Sequence, residues 1–298
     1  MTARGVVFKA LAGFYYVDVS GQAGEEKVIE CRARGRLRLD GTPPLVGDSV
    51  DVAATEPGKG VLTDILPRRN AFVRPPVANI DQLVIVVSGA VPVTDPFLID
   101  RMTVAAYAKG CECVICVNKC DMDSADGLFE IYALAGFNTI RTSAGDGRGR
   151  GREEIMNAIS GKFSAFTGNS GVGKSSILNM LSPALGLATG EVSKKLGRGR
   201  HTTRHVELYK LGGGAIVADT PGFSSFDAEL AGAMDRSRIQ YAFPDFAPYL
   251  GECRFGDCLH INEPGCAVKG AVELGAIHPS RHAGYARLCH MAARNPPS

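Results

Sequence analysis

Residues 168–175 read Gly-Asn-Ser-Gly-Val-Gly-Lys-Ser, which is G-x-x-x-x-G-K-[ST], the pattern of a phosphate-binding loop. An apolar run, Phe163 to Thr167, precedes it and a helix-like run, Ser176 to Leu181, follows it. A strand, this loop and a helix in that order are what the chemistry requires. Gly168, Gly171 and Gly173 let the backbone curl until its N–H groups converge on phosphate oxygens. The new helix brings its positive N-terminal end to the same point. Within this stretch Asn169, Ser170, Val172 and Ser176 supply backbone to the cradle. Lys174 can reach the β- and γ-phosphates, and the Ser175 hydroxyl can ligate Mg²⁺.

Working outward, the apolar strand Val114 to Val117 runs into Asn118-Lys119-Cys120-Asp121, an N-K-x-D. The Asp121 carboxylate can accept from both the ring N–H and the exocyclic amine of guanine, whereas adenine offers a lone pair and no amine there. The Lys119 stem can lie along the base. After a short strand, Asn138 to Arg141, comes Thr142-Ser143-Ala144, where the backbone of Ser143 and Ala144 can meet the guanine carbonyl. A third fragment, Asp219-Thr220-Pro221-Gly222, follows the apolar run Ala215 to Ala218. Asp219 suits Mg²⁺ through water, and the Gly222 N–H suits the γ-phosphate. Between lies Gly197-Arg198-Gly199-Arg200-His201-Thr202-Thr203, in which either Thr202 or Thr203 can complete the Mg²⁺ shell.

The base-reading fragments here precede the phosphate loop, the reverse of the ordinary GTPase order. This is a circular permutation, and it is physically allowed because the ends of a compact α/β domain lie at its surface, often close together. Near the C-terminus, Cys253, Cys258, His260 and Cys266 form C-x₄-C-x-H-x₅-C, four soft ligands within fourteen residues. They can close a tetrahedral Zn²⁺ site with no open position, so the role expected is structural.

These fragments, in this order, closely resemble the ribosome small subunit-dependent GTPase A family of bacteria, over essentially the whole chain. The resemblance implies a multidomain α/β protein. It would have an N-terminal OB-fold β-barrel (1–70), a circularly permuted P-loop GTPase domain (71–231) and a mostly helical zinc-binding domain (232–298). It also implies GTP and GDP as ligands with one structural zinc and Mg²⁺. The implied activity is late maturation of the 30S subunit on 16S rRNA, with GTP hydrolysis stimulated by the small subunit.

Composition agrees. Hydrophobic residues at 45% and charged residues at 21% suit a globular chain, and a net charge of +2 selects no partner class. No stretch approaches the ~20 apolar residues that span a bilayer. Residues 1–20 lack the apolar core and cleavage site of a signal peptide. Nine cysteines, an odd number, fit a reducing compartment better than a disulfide framework. A cytoplasmic monomer with no membrane contact is expected.

Short β-like runs at Val6 to Val19, Lys27 to Leu39, Ser49 to Ala54 and Gly60 to Leu66, punctuated by Gly and Pro, fit a small barrel. Arg32, Arg34, Arg36 and Arg38 alternate, and on one strand all four guanidinium groups share a face that can meet RNA phosphates. Pro67, Pro75 and Pro76 mark a linker. Beyond it, Thr94 or Asp95 caps a helix with Pro96 in its first position, and Gly110 stops it. Cys111, Cys113, Cys116 and Cys120 lie on and after a strand whose alternation separates neighbours, so they read as core. The basic loop with Lys194, Lys195, Arg198 and Arg200 is a second candidate RNA contact beside the γ-phosphate. Arg281, His282, Arg287, His290 and Arg294 on a helix-like tail read equally as a solvated face or an RNA contact.

In Ras-like enzymes a glutamine follows the D-x-x-G glycine. Here Phe223 stands there and cannot orient water. Slow hydrolysis without a partner is expected, with His201 as the water-orienting candidate. Two other readings stay open: an RNA-binding clamp gated by GTP with negligible turnover, and a metal-delivery GTPase.

Overall fold

The structure, a computed structural model, describes residues 2–20, 27–35, 37, 43–73, 76–187, 189, 206–219 and 235–294. It divides into two compact units. One takes the chain up to Asp81, with Ile159–Phe166 and the described part of Gly197–Pro221. The other takes Gln82–Ala158, the described part of Thr167–Leu196 and the C-terminal region.

In the first unit, β1 (Thr2–Leu11) and β2 (Phe14–Asp18) form a hairpin. Ala12 and Gly13 both have positive φ, 51° and 82°, the signature of the two-residue turn whose twist matches the strands. The single apolar run Val6 to Val19 is therefore two strands. β3 (Val28–Ala33), β4 (Ser49–Glu56) and β5 (Lys59–Ile65) follow. β2 pairs with β3, β3 with β5, β5 with β4, and β4 returns to β1. The circuit closes a five-stranded barrel around Val7, Val17, Ile29, Cys31, Val50, Val52 and Leu62.

One expectation about this barrel fails. β3 ends at Ala33, and Gly35 and Leu37 are helical. The backbone turns because Leu37, four residues after Ala33, then reaches the same barrel core. Arg32 is on the strand and Arg34 lies past its end, so a four-arginine strand face does not form. Arg36 and Arg38 lie outside the described residues.

Between the exposed Pro67 and Pro76, the described part of the segment after the barrel is packed. β6 (Ala71–Phe72) and β7 (Val77–Ala78) make a small ribbon with Phe72 and Ile80 buried. Arg68 grips both carboxylate oxygens of the fully buried Asp48 at 2.7 Å.

The second unit opens with β8 (Gln82–Ser88), buried along its whole length. α1 (Pro96–Ala108) follows, and the Asp95 carboxylate caps it by accepting from the Phe97 N–H at 2.9 Å. β9 (Glu112–Asn118), α2 (Asp126–Leu134), β10 (Asn138–Arg141) and α3 (Arg152–Ile159) complete this part. The three strands are parallel, with β9 between β8 and β10. Strands buried on both faces and crossed by helices read as continuous apolar runs, as β8 and the last five residues of β9 do, whereas β10 at the edge, Asn-Thr-Ile-Arg, has only Ile140 buried.

β11 (Phe163–Thr167) leads into α4 (Lys174–Leu181). β12 (Glu207–Lys210) and β13 (Ile216–Asp219) belong to the first unit. There β13 lies parallel to β11 and antiparallel to β12, and β12 meets β1 at Lys9↔Glu207. The Lys9 ammonium reinforces that pair with a 2.9 Å bond to Glu207.

The C-terminal part of the second unit is helical. Two 3₁₀ helices, Arg236–Ala242 and Pro244–Tyr249, precede α5 (Ala267–Glu273) and α6 (Pro279–Arg294). Their core joins Ile239, Phe243, Phe246, Ile277 and Tyr285 to Val104 of α1. Arg281 of α6 is completely buried: it bonds Asp100 of α1 and, at 3.0 Å, Asp245, with the Phe243 ring 4.3 Å from its guanidinium carbon. The tail helix is thus not a uniform basic face. Arg281 is structural, whereas Arg287 and His290 are exposed. Among the described residues no helix is long and apolar enough to cross a membrane.

Candidate functional site

The phosphate loop begins where β11 stops. Gly168 has φ 137°, and a Cβ there would run into the Val86 carbonyl oxygen of β8. Gly173, at φ 101°, is pressed against the Asn118 side-chain amide in the same way. Only glycine fits at either position, because L side chains rarely adopt that backbone and no space remains for one. Lys174 folds back over the loop, its ammonium donating to the Gly168 and Asn169 carbonyls at 2.6 and 3.0 Å. Ser175 and Ser176 stand in the first turn of α4, whose leading N–H groups have no acceptor inside the helix. Ser170 and Gly171 are exposed, while Val172 is buried and anchors the loop.

Asn118 joins this loop to the base-reading fragments. Its amide donates to the Val172 carbonyl at 2.9 Å. Its carbonyl accepts from the Thr142 hydroxyl at 3.0 Å and from the Ala144 N–H at 3.3 Å. One buried side chain therefore ties together the phosphate loop, the end of β9 and the Thr142–Ala144 loop. Lys119 follows in a left-handed conformation, φ 63°, with its ammonium on the Val91 carbonyl at 2.7 Å. The Cys120 N–H donates to the Thr142 carbonyl at 3.1 Å, and Asp121 projects into solvent. Ser143 is buried, and its N–H donates to the Arg150 carbonyl at 3.3 Å.

In the first unit, Asp219 ends β13 opposite Phe166 of β11, two residues before Gly168 in the chain. His201, Thr202, Thr203 and Gly222, and the basic residues Lys194, Lys195, Arg198 and Arg200, lie outside the described residues. Arg32 is exposed, its guanidinium 4.6 Å from the centre of the Phe14 ring, and Arg34 is exposed as well.

The four C-terminal ligand candidates converge. The three sulfurs and one histidine nitrogen all lie within 4.8 Å of one another. The Cys253 and Cys266 sulfurs are 3.9 Å apart, and each is 3.4 Å from His260 Nδ1. A tetrahedral zinc with bonds of about 2.3 Å to sulfur needs an S···S edge of about 3.8 Å, so the donor set and its spacing fit that ion. Backbone N–H groups of Ala267 and Lys269 point at the Cys253 and Cys266 sulfurs, at 3.3 and 3.5 Å, as suits thiolates. Burial pushes the Cys258 thiol up to about 12 and raises that of Cys266. A cation among the sulfurs inverts that preference. Burial also lowers the His260 pKa, favouring the neutral ring that a metal ligand must be. This is the one such cluster among the described residues.

Cys111, Cys116 and Cys120 send their sulfurs to separate partners: the Lys109 carbonyl, the Thr142 hydroxyl and the Val117 carbonyl. Burial holds the Cys116 thiol up at about 12, the behaviour of a small core residue.

Sequence reasoning missed the residues that support both sites. Val86 and Val91 look like ordinary strand and loop residues, and Gln240, which bonds His260, lies twenty positions before it with no motif around it. Only the repeated glycines hinted at a close approach by some other backbone.

A family model described as RsgA GTPase matches residues 65–229, and one described as RsgA N-terminal domain matches residues 4–62. The chain belongs to the RsgA GTPase family. The protein named small ribosomal subunit biogenesis GTPase RsgA from Moorella thermoacetica is 44% identical over 284 residues, 95% of this chain and 94% of that protein. Its namesake from Caldanaerobacter subterraneus subsp. tengcongensis is 42% identical over 288 residues, 96% and 94%. Two solved structures superpose with a TM-score of 0.79. Thermotoga maritima YjeQ is 32% identical, covering 97% of this chain and 98% of its own. YloQ, described as a circularly permuted GTPase, is 35% identical, covering 100% and 98%. The permuted order in the sequence, the barrel, the α/β core and the helical Cys₃His region are thus the architecture of an RsgA GTPase.

Proposed function

We propose that this RsgA family member binds and hydrolyses GTP while docked on the small ribosomal subunit during its late maturation. The observation that carries the reading is Asn118, whose buried amide bonds the phosphate loop on one side and the base-reading loop on the other. That linkage unites two motifs lying in permuted order into one guanine-nucleotide site. The assignment to the small subunit follows the names of the relatives.

In this reading Asp121 and Lys119 select guanine, with the Cys120 backbone between them, and the Ser143–Ala144 backbone meets its carbonyl. The phosphates take over the Lys174 ammonium from the Gly168 and Asn169 carbonyls, and the Gly168–Ser176 backbone surrounds them. Mg²⁺ neutralises phosphate charge when bound. Ser175 and one of Thr202 and Thr203 would hold it, with Asp219 acting through water. The Gly222 N–H reads the γ-phosphate. With Phe223 in the place of a water-orienting glutamine, turnover alone is slow, and His201 takes that role once a partner is bound.

The Cys₃His cluster holds one zinc in a closed, structural shell. Arg32 and Arg34 with Arg36, Arg38, Lys194, Lys195, Arg198 and Arg200 contact 16S rRNA phosphates. The functional modules are 1–70, 71–231 and 232–298, and the protein works in the cytoplasm as a monomer.

The test is GTP hydrolysis by the purified protein alone, with small subunits, and with large subunits as control, at fixed salt. Small subunits are expected to raise turnover by about tenfold or more. Equal rates in all three would overturn the proposal and leave a GTP-gated binder.

A further inference from the structure

His260 offers two ring nitrogens, and something must decide which of them faces the sulfurs. Nδ1 faces Cys253 and Cys266 at 3.4 Å. Nε2 faces outward to the Gln240 side-chain oxygen at 2.7 Å. The amide of Gln240 has its own orientation fixed, because its nitrogen donates to the Ser237 carbonyl at 2.8 Å. A carboxamide anchored in that way can present only its oxygen to the imidazole. The ring must then carry its proton on Nε2, which leaves the Nδ1 lone pair directed at the sulfur cluster.

We infer that Gln240 is the positioning residue of the metal centre: it fixes the tautomer and orientation of His260 and thereby sets how tightly the ion is held. The proposal rests on the Cys₃His cluster being a metal site and goes beyond it by assigning a residue that donates no ligand atom. Metal-bound histidines characteristically donate their second N–H to such a partner, and its loss costs about 10–100-fold in affinity.

The Phe246 and Tyr285 rings flank the imidazole with centroids 6.3 and 6.4 Å away but offer Nε2 no acceptor, and two neighbouring hydrogen bonds restrain the backbone. The His282 ring donates to the His260 carbonyl at 2.7 Å. The Tyr285 hydroxyl donates to the Leu259 carbonyl at 2.9 Å. His260 itself has a left-handed backbone, φ 57°, so neighbouring bonds must hold its loop. Gln240 belongs to the 3₁₀ helix whose Ile239 and Ala242 pack in one core with Val104 of α1. The ring is therefore referred to a helix of the nucleotide-binding part of the unit and not only to its own loop.

The experiment loads the full-length protein with zinc and measures stoichiometry, dissociation constant and off-rate against a colorimetric chelator. It uses the wild type, Gln240→Leu and Gln240→Glu. Gln240→Leu keeps the volume and removes the acceptor, and it is expected to bind zinc about 10–100-fold more weakly. Gln240→Glu keeps an acceptor and should restore affinity to within about threefold of wild type, a rescue that a merely space-filling residue would not show. In parallel, ¹⁵N NMR of the zinc-loaded wild type should show a protonated, exchange-protected Nε2 and a metal-bound Nδ1. That measurement needs no variant to fold. Equal zinc affinity in wild type and Gln240→Leu, or a ring bound through Nε2, would overturn the inference. Failure of the wild type to bind stoichiometric zinc would instead overturn the metal-site reading beneath it.

Discussion

The phosphate loop and the Cys₃His centre solve opposite problems with opposite materials. The loop, proposed to surround an anion, is built from backbone: its shape comes from glycines that leave no room for a Cβ, at Gly168 against Val86 and at Gly173 against Asn118. The Cys₃His centre, proposed to surround a cation, is built from side chains whose placement depends on further side chains, Gln240 on the ring and His282 and Tyr285 on the loop. A backbone site is fixed by sterics and fails all at once. A side-chain site is fixed by a hierarchy of contacts and fails in steps.

The sharpest way to break that contrast is Gly168→Ala. It adds backbone strain of about 1–3 kcal/mol to a collision with a carbonyl that has no rotamer to escape into. Guanine-nucleotide affinity, read with a fluorescent GDP analogue, is expected to fall by about 100-fold or more. A loss smaller than tenfold would mean that the loop can re-form around a methyl group and that its glycines are not a steric requirement.

Cys258→Ser probes the other side. Losing one ligand of a closed shell should lower the stability of the C-terminal helical part by several kcal/mol, about the scale of structural zinc sites weakened but not abolished. Thermal unfolding followed by zinc release would show this. Nucleotide affinity should change by less than about threefold. If the two properties fell together, the sites would not be the independent constructions described above.

The smallest expected effect concerns the Asp100–Arg281–Asp245 cluster that ties α6 to α1. Burial pushes the Asp100 carboxyl up to about 6, against the pull of Arg281 and the Tyr132 hydroxyl. Its folded value thus lies above the unfolded value of about 3.9. Its contribution to stability is accordingly full below about pH 4 and is lost as pH rises through 6. The chain should lose up to about 2 kcal/mol of stability between pH 4 and pH 7 from this group, and Asp100→Asn should flatten that slope. Denaturant midpoints at both pH values would check it, and an unchanged slope would assign the pH dependence elsewhere.

The contrast also explains what could be read in advance. Gly168, Gly173 and Lys174 are legible because a steric requirement writes itself into residue type. The four proposed metal ligands are legible because their spacing is short and local. Gln240, His282 and Arg281 are not: each acts through a contact made by the tertiary fold, and nothing in a glutamine's neighbours along the chain announces an imidazole partner. The arginine alternation from Arg32 misled for a related reason. A period of two describes a strand only while the strand lasts, and Leu37 reaches the barrel core by a helical turn that the alternation cannot reveal. The hairpin at Ala12–Gly13 escaped notice because alanine holds a positive φ where asparagine or aspartate would have signalled the turn.

The pairing of β1 with β12 bears on anyone who wishes to handle the barrel as a separate piece. Its last hydrogen-bonding partner is supplied by Glu207, about 140 residues beyond the end of β5 in the chain. A fragment cut after residue 66 would keep a closed circuit of five strands but would strip Lys9 of that neighbour. The remainder of the protein would be left with β12 as a raw four-residue margin, an open invitation to a second molecule. Severed halves of this chain should therefore be stickier in solution than the whole, and mixing them should cure both.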